Sequence, residues 1–215
     1  MTKQIRIDFV SDISCPWCVI GLKSLEQALE QAKDAVGAEI HFQPFELNPA
    51  MPAGGQDIGE HLAEKYGANE EQRAATRATI RARAAELGFD FNMDTRSRIY
   101  NTFDAHRLLQ WANTLGREYA LKTALFEAYF TNGENPGDHA VLTRVAGEIG
   151  LDSAEAARVL ASGEFADEVR EREQFFQRAG INSVPAIIIN EKHLISGGQP
   201  PEVFEQALRT IAAQA

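Results

Sequence analysis

The chain contains two cysteines, Cys15 and Cys18, and only two residues separate them. Two cysteines placed at random in a chain of this length would have this spacing roughly 1% of the time, so the pair indicates a purpose. A bridge between them would close too short a loop to contribute much stability. The spacing therefore favours thiol–disulfide chemistry, in which a thiolate attacks a disulfide and a second cysteine resolves the mixed disulfide.

The pair lies where a predicted strand, residues 5–10, leads into a predicted helix. Apolar residues recur at helical spacing after Cys18, and Gly37 is expected to end the helix. Cys15 therefore falls at the helix start, where backbone N–H groups and the helix dipole stabilise a negative charge. We expect Cys15 to be exposed and nucleophilic, and Cys18 to be more buried.

The residues between the cysteines suit a site that binds substrate. Pro16 is tolerated in the first helical turn because its missing N–H would be unpaired there anyway. Trp17 is too large to be fully buried at this position and could form a hydrophobic rim for a substrate. We therefore treat both as candidate substrate-binding residues.

The rest of the pattern predicts a β–α–β opening, a long helical middle and an α–β–β–α end. A second strand is predicted at 39–45, and a hairpin at 186–190 and 193–196 precedes a helix that begins near Pro200. Between the loop that follows residue 47 and about residue 178, the predicted helices span 57–66, 70–87, 96–115, 117–130, 138–149, 153–160 and 164–178.

Without its helical middle, this order of elements is that of a thioredoxin-like module. We therefore predict an α/β protein with a thioredoxin-like fold and a large all-helical insertion. The predicted division is 1–47 for the first part of the thioredoxin-like domain, 48–165 for the insertion, and 166–215 for the second part.

Composition narrows the possible partners. The net charge is −10 and the isoelectric point is near 5.0, which disfavours nucleic acid because binding phosphates requires a basic face. No apolar run approaches the roughly 20 residues of a membrane span, and the first residues do not resemble a signal peptide. We expect a cytoplasmic protein without a membrane partner; the oligomeric state stays open.

Five motifs, taken together and in order, resemble the FrnE-like branch of the DsbA family. They are Cys15-Pro16-Trp17-Cys18, Glu46-Leu47-Asn48-Pro49-Ala50-Met51-Pro52, Asn101-Thr102-Phe103-Asp104-Ala105-His106-Arg107, Ser183-Val184-Pro185-Ala186 and Ser196-Gly197-Gly198-Gln199. The resemblance implies a thioredoxin fold with an inserted helical domain and dithiol–disulfide exchange at the CxxC. It also implies that Cys15 is the nucleophile and that Cys18 resolves the mixed disulfide.

The same resemblance implies a cis-proline at Pro185, opposite the cysteines. A cis bond there would expose the backbone of Val184 to an extended substrate. Because they lie in the matching motifs, Val184, His106 and Asn48 are further candidate substrate-binding residues. No metal and no tightly bound cofactor is implied, and glutathione is a possible co-substrate.

A sister branch contains the 2-hydroxychromene-2-carboxylate isomerases and the kappa-class glutathione transferases. Those proteins typically have a serine where Cys15 stands, and they bind glutathione. The presence of both cysteines favours redox chemistry, and a glutathione-dependent isomerase or transferase is the alternative. A binding or chaperone-like module, in which the cysteines are incidental, is a third possibility.

Titratable residues elsewhere in the chain could change the protonation of the cysteines. His106, on a predicted helix of the insertion, could face them, although a core or capping histidine is the simpler interpretation. Asp8 could act as a buried proton acceptor behind Cys18, and Asp12 reads as a loop residue. We predict no zinc site, because the chain has neither a second CxxC nor paired histidines at ligand spacing.

Overall fold

The computed structural model describes residues 2–92 and 95–214. Its main sheet has four strands in the order β2-β1-β5-β6, formed by β1 (Lys3–Ser11), β2 (Val36–Pro44), β5 (Ala186–Ile189) and β6 (His193–Ser196). β2 runs parallel to β1, whereas β5 is antiparallel to β1 and β6 is antiparallel to β5. The helix α1 (Pro16–Gln31) makes the crossover between the parallel pair.

Helices fill the middle of the chain and flank the sheet. They are α2 (Ile58–Tyr66), α3 (Glu70–Glu86), α4 (Phe103–Thr114), α5 (Glu118–Phe130), α6 (His139–Glu148), α7 (Ser153–Ala161), α8 (Ala166–Arg178) and α9 (Pro201–Gln214). The predicted α/β class and thioredoxin-like fold with a helical insertion are confirmed. The boundaries at residues 48 and 165 stay a prediction.

Buried apolar side chains join the sheet to the helices of the middle segment. One cluster contains Ile7 and Phe9 of β1, Leu25 of α1, Leu108 of α4 and Leu125 of α5. On the opposite face of the sheet, Val10 packs in a smaller cluster with Phe45, Phe176 and Ile181. Burial of these side chains stabilises the fold by roughly 25 cal/mol per Å² of apolar surface. The core therefore fixes α4 and α5 against the strand that leads to the cysteines.

The end of α1 was predicted wrongly. The helix ends at Gln31 instead of near Gly37, and Gly37 lies inside β2, paired with Gln4. Ala32 caps the helix with its N–H bonded to the carbonyl of Ala28, and the N–H of Val36 bonds to the carbonyl of Ala32. This tight turn needs no left-handed residue, so a glycine is not required.

The start of α4 was also predicted wrongly. The helix begins at Phe103 instead of residue 96, because β4 (Arg98–Ile99) pairs with β3 (Gln56–Asp57) in a small antiparallel sheet. The side chain of Asn101 then accepts a hydrogen bond from the N–H of Phe103 at 2.9 Å and turns the chain into the helix. Two-residue strands leave too little periodicity in a sequence to be recognised.

Candidate active site

Cys15 occupies the position just before α1, as the sequence predicts. Its backbone is extended (φ −92°, ψ 112°), and Pro16 opens the helix. The N–H of Cys18 bonds to the carbonyl of Cys15 at 3.1 Å, so the two residues share the first turn. The thiol of Cys15 thus stands at the N-terminal end of the helix, where the dipole favours a thiolate.

The expectation that Cys15 is exposed is wrong, because only 4% of its surface is accessible. The segment that precedes β5 lies against it: Sγ of Cys15 is 3.6 Å from the carbonyl oxygen of Val184. The Val184–Pro185 bond is cis, as the resemblance implies. Val184 is half-buried and Pro185 is buried. The carbonyl of Val184 therefore covers part of the Cys15 thiol.

Glycines allow this segment to approach α1 closely. A Cβ on Gly21 would lie 2.9 Å from Cγ of Pro185, closer than non-bonded carbon atoms tolerate. A Cβ on Gly198 would lie 3.0 Å from the carbonyl oxygen of Trp17. The N–H of Gly197 bonds to the carbonyl of Pro185 at 2.8 Å. Two of the motifs that carried the resemblance are therefore in contact with the first turns of α1.

Cys18 is fully buried, as expected for the second cysteine. Burial raises its pKa well above the ordinary value of a thiol, and the neighbouring thiol of Cys15 raises it further. The backbone of Asp12 and the positive charge of Lys122 act in the opposite direction. At neutral pH Cys18 is therefore a neutral thiol that must lose a proton before it can attack a disulfide.

Asp12 is not a simple loop residue; it is 1% exposed and ties two loops together. Its carboxylate accepts hydrogen bonds from the N–H of Leu47 at 2.7 Å and from the hydroxyl of Ser14 at 2.9 Å. Burial would raise the pKa of Asp12, but His106, the N–H of Leu47 and the hydroxyl of Thr102 outweigh this effect and hold the pKa below its usual range. Asp12 therefore stays ionised beside the cysteines.

His106 belongs to the same buried group. It is 3% exposed, and Nε2 lies 3.6 Å from Oδ1 of Asp12, which is within ion-pair range but too long for a good hydrogen bond. Within the described part of the chain, Nε2 has no hydrogen-bond partner. His106 thus reaches the cysteine site through Asp12, as one of the two interpretations of the sequence suggested.

Two buried titratable residues of α5 were not singled out by the sequence analysis. Lys122 is fully buried, and burial lowers its pKa to about 8, although the acidic groups of Cys18, Asp12 and Glu118 oppose this effect. Glu118 lies one turn earlier. Burial raises its pKa to about 7, although the N–H of Phe42, which donates a hydrogen bond to its carboxylate, and the charge of Lys122 both lower it.

Three further residues predicted to bind substrate are half-buried. Pro16 and Trp17 belong to this group, and the guanidinium of Arg83 lies 5.7 Å from the centre of the Trp17 ring. Asn48 is the third, and its side-chain oxygen accepts a hydrogen bond from Nζ of Lys65 at 2.7 Å. The substrate-binding roles of Pro16, Trp17, Val184, His106 and Asn48 stay predictions.

Asp8 does not take part in the site. It is 5% exposed and its carboxylate accepts hydrogen bonds from Arg6 and Gln43. Strand alternation turns it away from Phe9, which lies in the core cluster that holds both cysteines.

Across residues 2–92 and 95–214 there is no group of three or more His, Cys, Asp or Glu side chains placed to hold a metal ion.

Comparison with known proteins identifies the family. The family model of the DSBA-like thioredoxin domain matches residues 6–209. The chain therefore belongs to the DSBA-like thioredoxin domain family, whose chemistry is thiol–disulfide oxidoreduction.

Two relatives match over nearly the whole chain. The crystal structure of a probable DsbA oxidoreductase, SCO1869 from Streptomyces coelicolor, is 35% identical, covers 98% of this chain and 90% of that one, and has a TM-score of 0.88. The uncharacterized protein YwbO of Bacillus subtilis (strain 168) is 29% identical over 97% of this chain and 96% of its own length.

A more distant structure shares the fold. It is the cytosolic disulfide reductase DsbM from Pseudomonas aeruginosa with GSH, which is 18% identical, covers 97% of this chain and 99% of that one, and has a TM-score of 0.67.

None of the helices formed by residues 2–92 and 95–214 is both long and apolar enough to cross a membrane.

Proposed function

We propose that the protein exchanges a Cys15–Cys18 disulfide or dithiol with protein or small-molecule thiols through a mixed disulfide on Cys15. The observation that carries this proposal is the arrangement of the two thiols on the first turn of α1. Cys15 lies at the helix start against the carbonyl of Val184, and Cys18 lies fully buried behind it within hydrogen-bonding reach. Only the first of these positions can be reached from outside.

The proposed reaction has two steps. In the reducing direction, the Cys15 thiolate attacks a substrate disulfide, one substrate thiolate leaves, and a mixed disulfide forms on Cys15. Cys18 then loses its proton and attacks Sγ of Cys15, which releases the second substrate thiolate and forms the Cys15–Cys18 disulfide. The cysteine pair loses two electrons and the substrate disulfide gains them. Oxidation of a substrate dithiol is the same sequence in reverse.

We further propose that the substrate lies along the backbone of Val184, with Pro16 and Trp17 as an apolar rim and Asn48 at the side. No tightly bound cofactor is required, because both electrons reside in the cysteine pair. Glutathione is the proposed small thiol, and the solved structure of DsbM with GSH supports it. That protein is described as cytosolic, which supports a cytoplasmic setting for this one.

The proposal is tested by equilibrating the protein in buffers of reduced and oxidised glutathione and measuring its mass. We expect one transition in which the protein loses two hydrogen atoms, and its midpoint gives the reduction potential and hence the direction of the reaction. Cys15→Ser and Cys18→Ser should each abolish the transition. If the wild-type protein forms no disulfide at any ratio, the proposal is wrong, and glutathione-dependent isomerase or transferase activity becomes the candidate.

A further inference from the structure

A cation from the end of α2 contacts one of the loops that surround Cys15. Lys65 is exposed, and its Nζ donates hydrogen bonds at 2.7 Å to the carbonyl of Leu47 and to the side-chain oxygen of Asn48. The N–H of the same Leu47 bonds to Asp12 at 2.7 Å, and the carbonyl of Asp12 accepts from the N–H of Cys15 at 3.3 Å. Hydrogen bonds through Leu47 and Asp12 thus connect Lys65 to the nucleophile.

A second cation, from the last turn of α3, contacts a different loop beside the cysteines. The guanidinium of Arg83 lies 5.7 Å from the centre of the Trp17 ring, and Nη1 is 3.4 Å from the carbonyl oxygen of Gly198. Trp17 lies between the two cysteines in the sequence, and Gly198 follows the glycine whose N–H bonds to the carbonyl of Pro185. The neighbouring helices α2 and α3 therefore each bring one positive charge to the surroundings of Cys15.

Neither of these charges is neutralised by the protein. Among residues 2–92 and 95–214, no carboxylate oxygen lies within ion-pair distance of Lys65 or Arg83, whose polar contacts are to carbonyl oxygens. Arg73 and Arg77 of the same α3 differ, because both pair with Glu70. The whole chain has a net charge of −10 and repels anions at long range. Unpaired cations beside Cys15 act against that repulsion at the site itself.

The amide of Asn48 adds a donor next to Lys65. Nζ of Lys65 can only donate, so it has to face the side-chain oxygen of Asn48. The NH2 group of Asn48 therefore points away from Lys65, and in the part of the chain that the structure describes it makes no hydrogen bond. An ammonium and a free amide N–H held side by side form a pair of donors that suits a carboxylate.

We propose that Lys65 and Arg83 select small disulfides that carry carboxylates near the sulfur atoms. This inference rests on the proposed function and names the substrate class of that site. One carboxylate of the substrate binds Lys65 and the amide of Asn48, and another binds Arg83. The Cys15 thiolate then forms a bond to one sulfur, the bond between the two substrate sulfurs breaks, and the second sulfur leaves as a thiolate. The carboxylates keep their charge throughout, so the two cations act as specificity determinants and do not enter the chemistry.

Three disulfides of similar size test the effect of charge alone. They are dithiodipropionate, which is anionic, dithiodiethanol, which is neutral, and cystamine, which is cationic. The oxidation of the reduced protein is followed by acid quenching and mass measurement, at low disulfide concentrations where the attack of Cys15 limits the rate. Each rate is divided by that of the mercaptoethanol thiolate with the same disulfide, which removes differences in intrinsic reactivity.

The wild-type protein should react fastest with the anionic disulfide and slowest with the cationic one. We expect a range of roughly tenfold between these two at low salt. The range should shrink when the salt concentration rises from about 0.01 M to about 1 M, because salt screens the attraction of exposed charges.

Substitutions then assign the preference to the two cations. Lys65→Met and Arg83→Met should each lower the ratio of the anionic to the neutral rate by about threefold. Lys65→Arg and Arg83→Lys keep the charge and should retain most of the ratio. Lys33→Met removes the same charge beyond the other end of α1 and is the matched control, which should leave the ratio unchanged.

The outcomes separate this inference from the proposed function. If the wild-type protein is oxidised by none of the three disulfides, the proposed function itself fails. If all three react and the anionic one is not preferred, the inference is overturned while the exchange reaction stands. It is also overturned if either methionine variant keeps the wild-type ratio, because the replaced cation would then only hold its loop in place.

Discussion

The two cysteines stand one helical turn apart, but different parts of the molecule control them. The surroundings of Cys15 are backbone: the start of α1, the carbonyl of Val184, and the loop that Gly21 allows to approach. The thiol of Cys18 lies in the core: burial raises its pKa, and the backbone of Asp12 and the charge of Lys122, which comes from the helical middle of the chain, act against this. The first thiol is thus held by backbone contacts, and the pKa of the second is set mainly by burial and by neighbours from two parts of the chain.

This difference suggests a division of labour. A backbone carbonyl and a helix end cannot be titrated, so the position of the nucleophile does not vary with pH. A buried lysine and a buried carboxylate can gain or lose protons, so the reactivity of the resolving cysteine can vary with pH. Substitutions on the Cys15 side should therefore change how the first step is positioned, and substitutions on the Cys18 side should change protonation and stability.

The largest effect on stability is expected for Asp12→Asn. Asparagine has one acceptor oxygen. If that oxygen keeps the bonds from the N–H of Leu47 and the hydroxyl of Ser14, the NH2 group replaces the oxygen that accepts from the N–H of Ser14, so a buried donor is left unpaired. We expect a loss of about 2–4 kcal/mol in the free energy of unfolding at pH 7, measured by urea titration. The folded-state pKa of Asp12 is lowered, so this contribution exists above about pH 4 and disappears as the pH falls below it.

Asp8→Asn is the matched control for that experiment. Asp8 is also a buried acid of β1, but it bonds to Arg6 and Gln43 instead of to the loops around the cysteines. It should cost about 1–3 kcal/mol of stability and leave the rate of exchange with oxidised glutathione unchanged. A change in that rate would contradict the conclusion that Asp8 lies outside the site.

On the Cys15 side, Gly21→Ala should force α1 and the proline loop apart. Alanine favours a helix by about 1 kcal/mol over glycine, but its Cβ would lie 2.9 Å from the stiff ring of Pro185. We expect a net loss of about 1–2 kcal/mol in stability and a slower attack of Cys15 on a substrate disulfide, because the carbonyl of Val184 moves away from Cys15. Gly163→Ala, where a Cβ meets nothing within 4 Å, is the control. If Gly21→Ala leaves the rate of that attack unchanged, this contact does not position the nucleophile.

Glu118→Gln should change stability in the opposite direction. Burial raises the pKa of Glu118 to about 7, so the folded protein binds a proton that the unfolded chain releases between about pH 4.5 and 7. The unfolding free energy therefore falls as the pH rises through that window. Glutamine keeps an acceptor for the N–H of Phe42 and removes this dependence, so at pH 8 we expect a gain of about 1–2 kcal/mol. The exposed Glu171→Gln should change nothing; a gain that is equally large at pH 4 would contradict this account of Glu118.

Much of the fold and the position of the cysteine pair could be predicted because the relevant signals are local. Alternation in β1, helical periodicity after Cys18 and the β-branched run of β5 each determine one element. The placement of Cys15 before α1 follows from that order alone. The turn after Gln31 and the two-residue strand Arg98–Ile99 escaped prediction because their hydrogen bonds leave no periodic pattern.

The surroundings of Cys18 depend on tertiary contacts and were largely missed. The buried acid beside the cysteines is Asp12 and not Asp8. Asp12 accepts a hydrogen bond from the N–H of Leu47, which lies near it only in the folded chain. Lys122 left one usable signal: α5 is apolar nearly all round, which indicates a buried helix, and a lysine inside such a helix requires a partner. That signal could identify the residue, but not its neighbours in the folded chain.

The most direct test of the central claim is to trap the mixed disulfide. Cys18→Ser is incubated with oxidised glutathione, and the modified residue is located by peptide mass spectrometry. We predict one glutathione per chain, attached to Cys15 and stable because no second thiol can release it, while Cys15→Ser forms no adduct on the fully buried Cys18. An adduct on Cys18, or none on Cys15, would contradict the assignment of Cys15 as the nucleophile and Cys18 as the resolving cysteine.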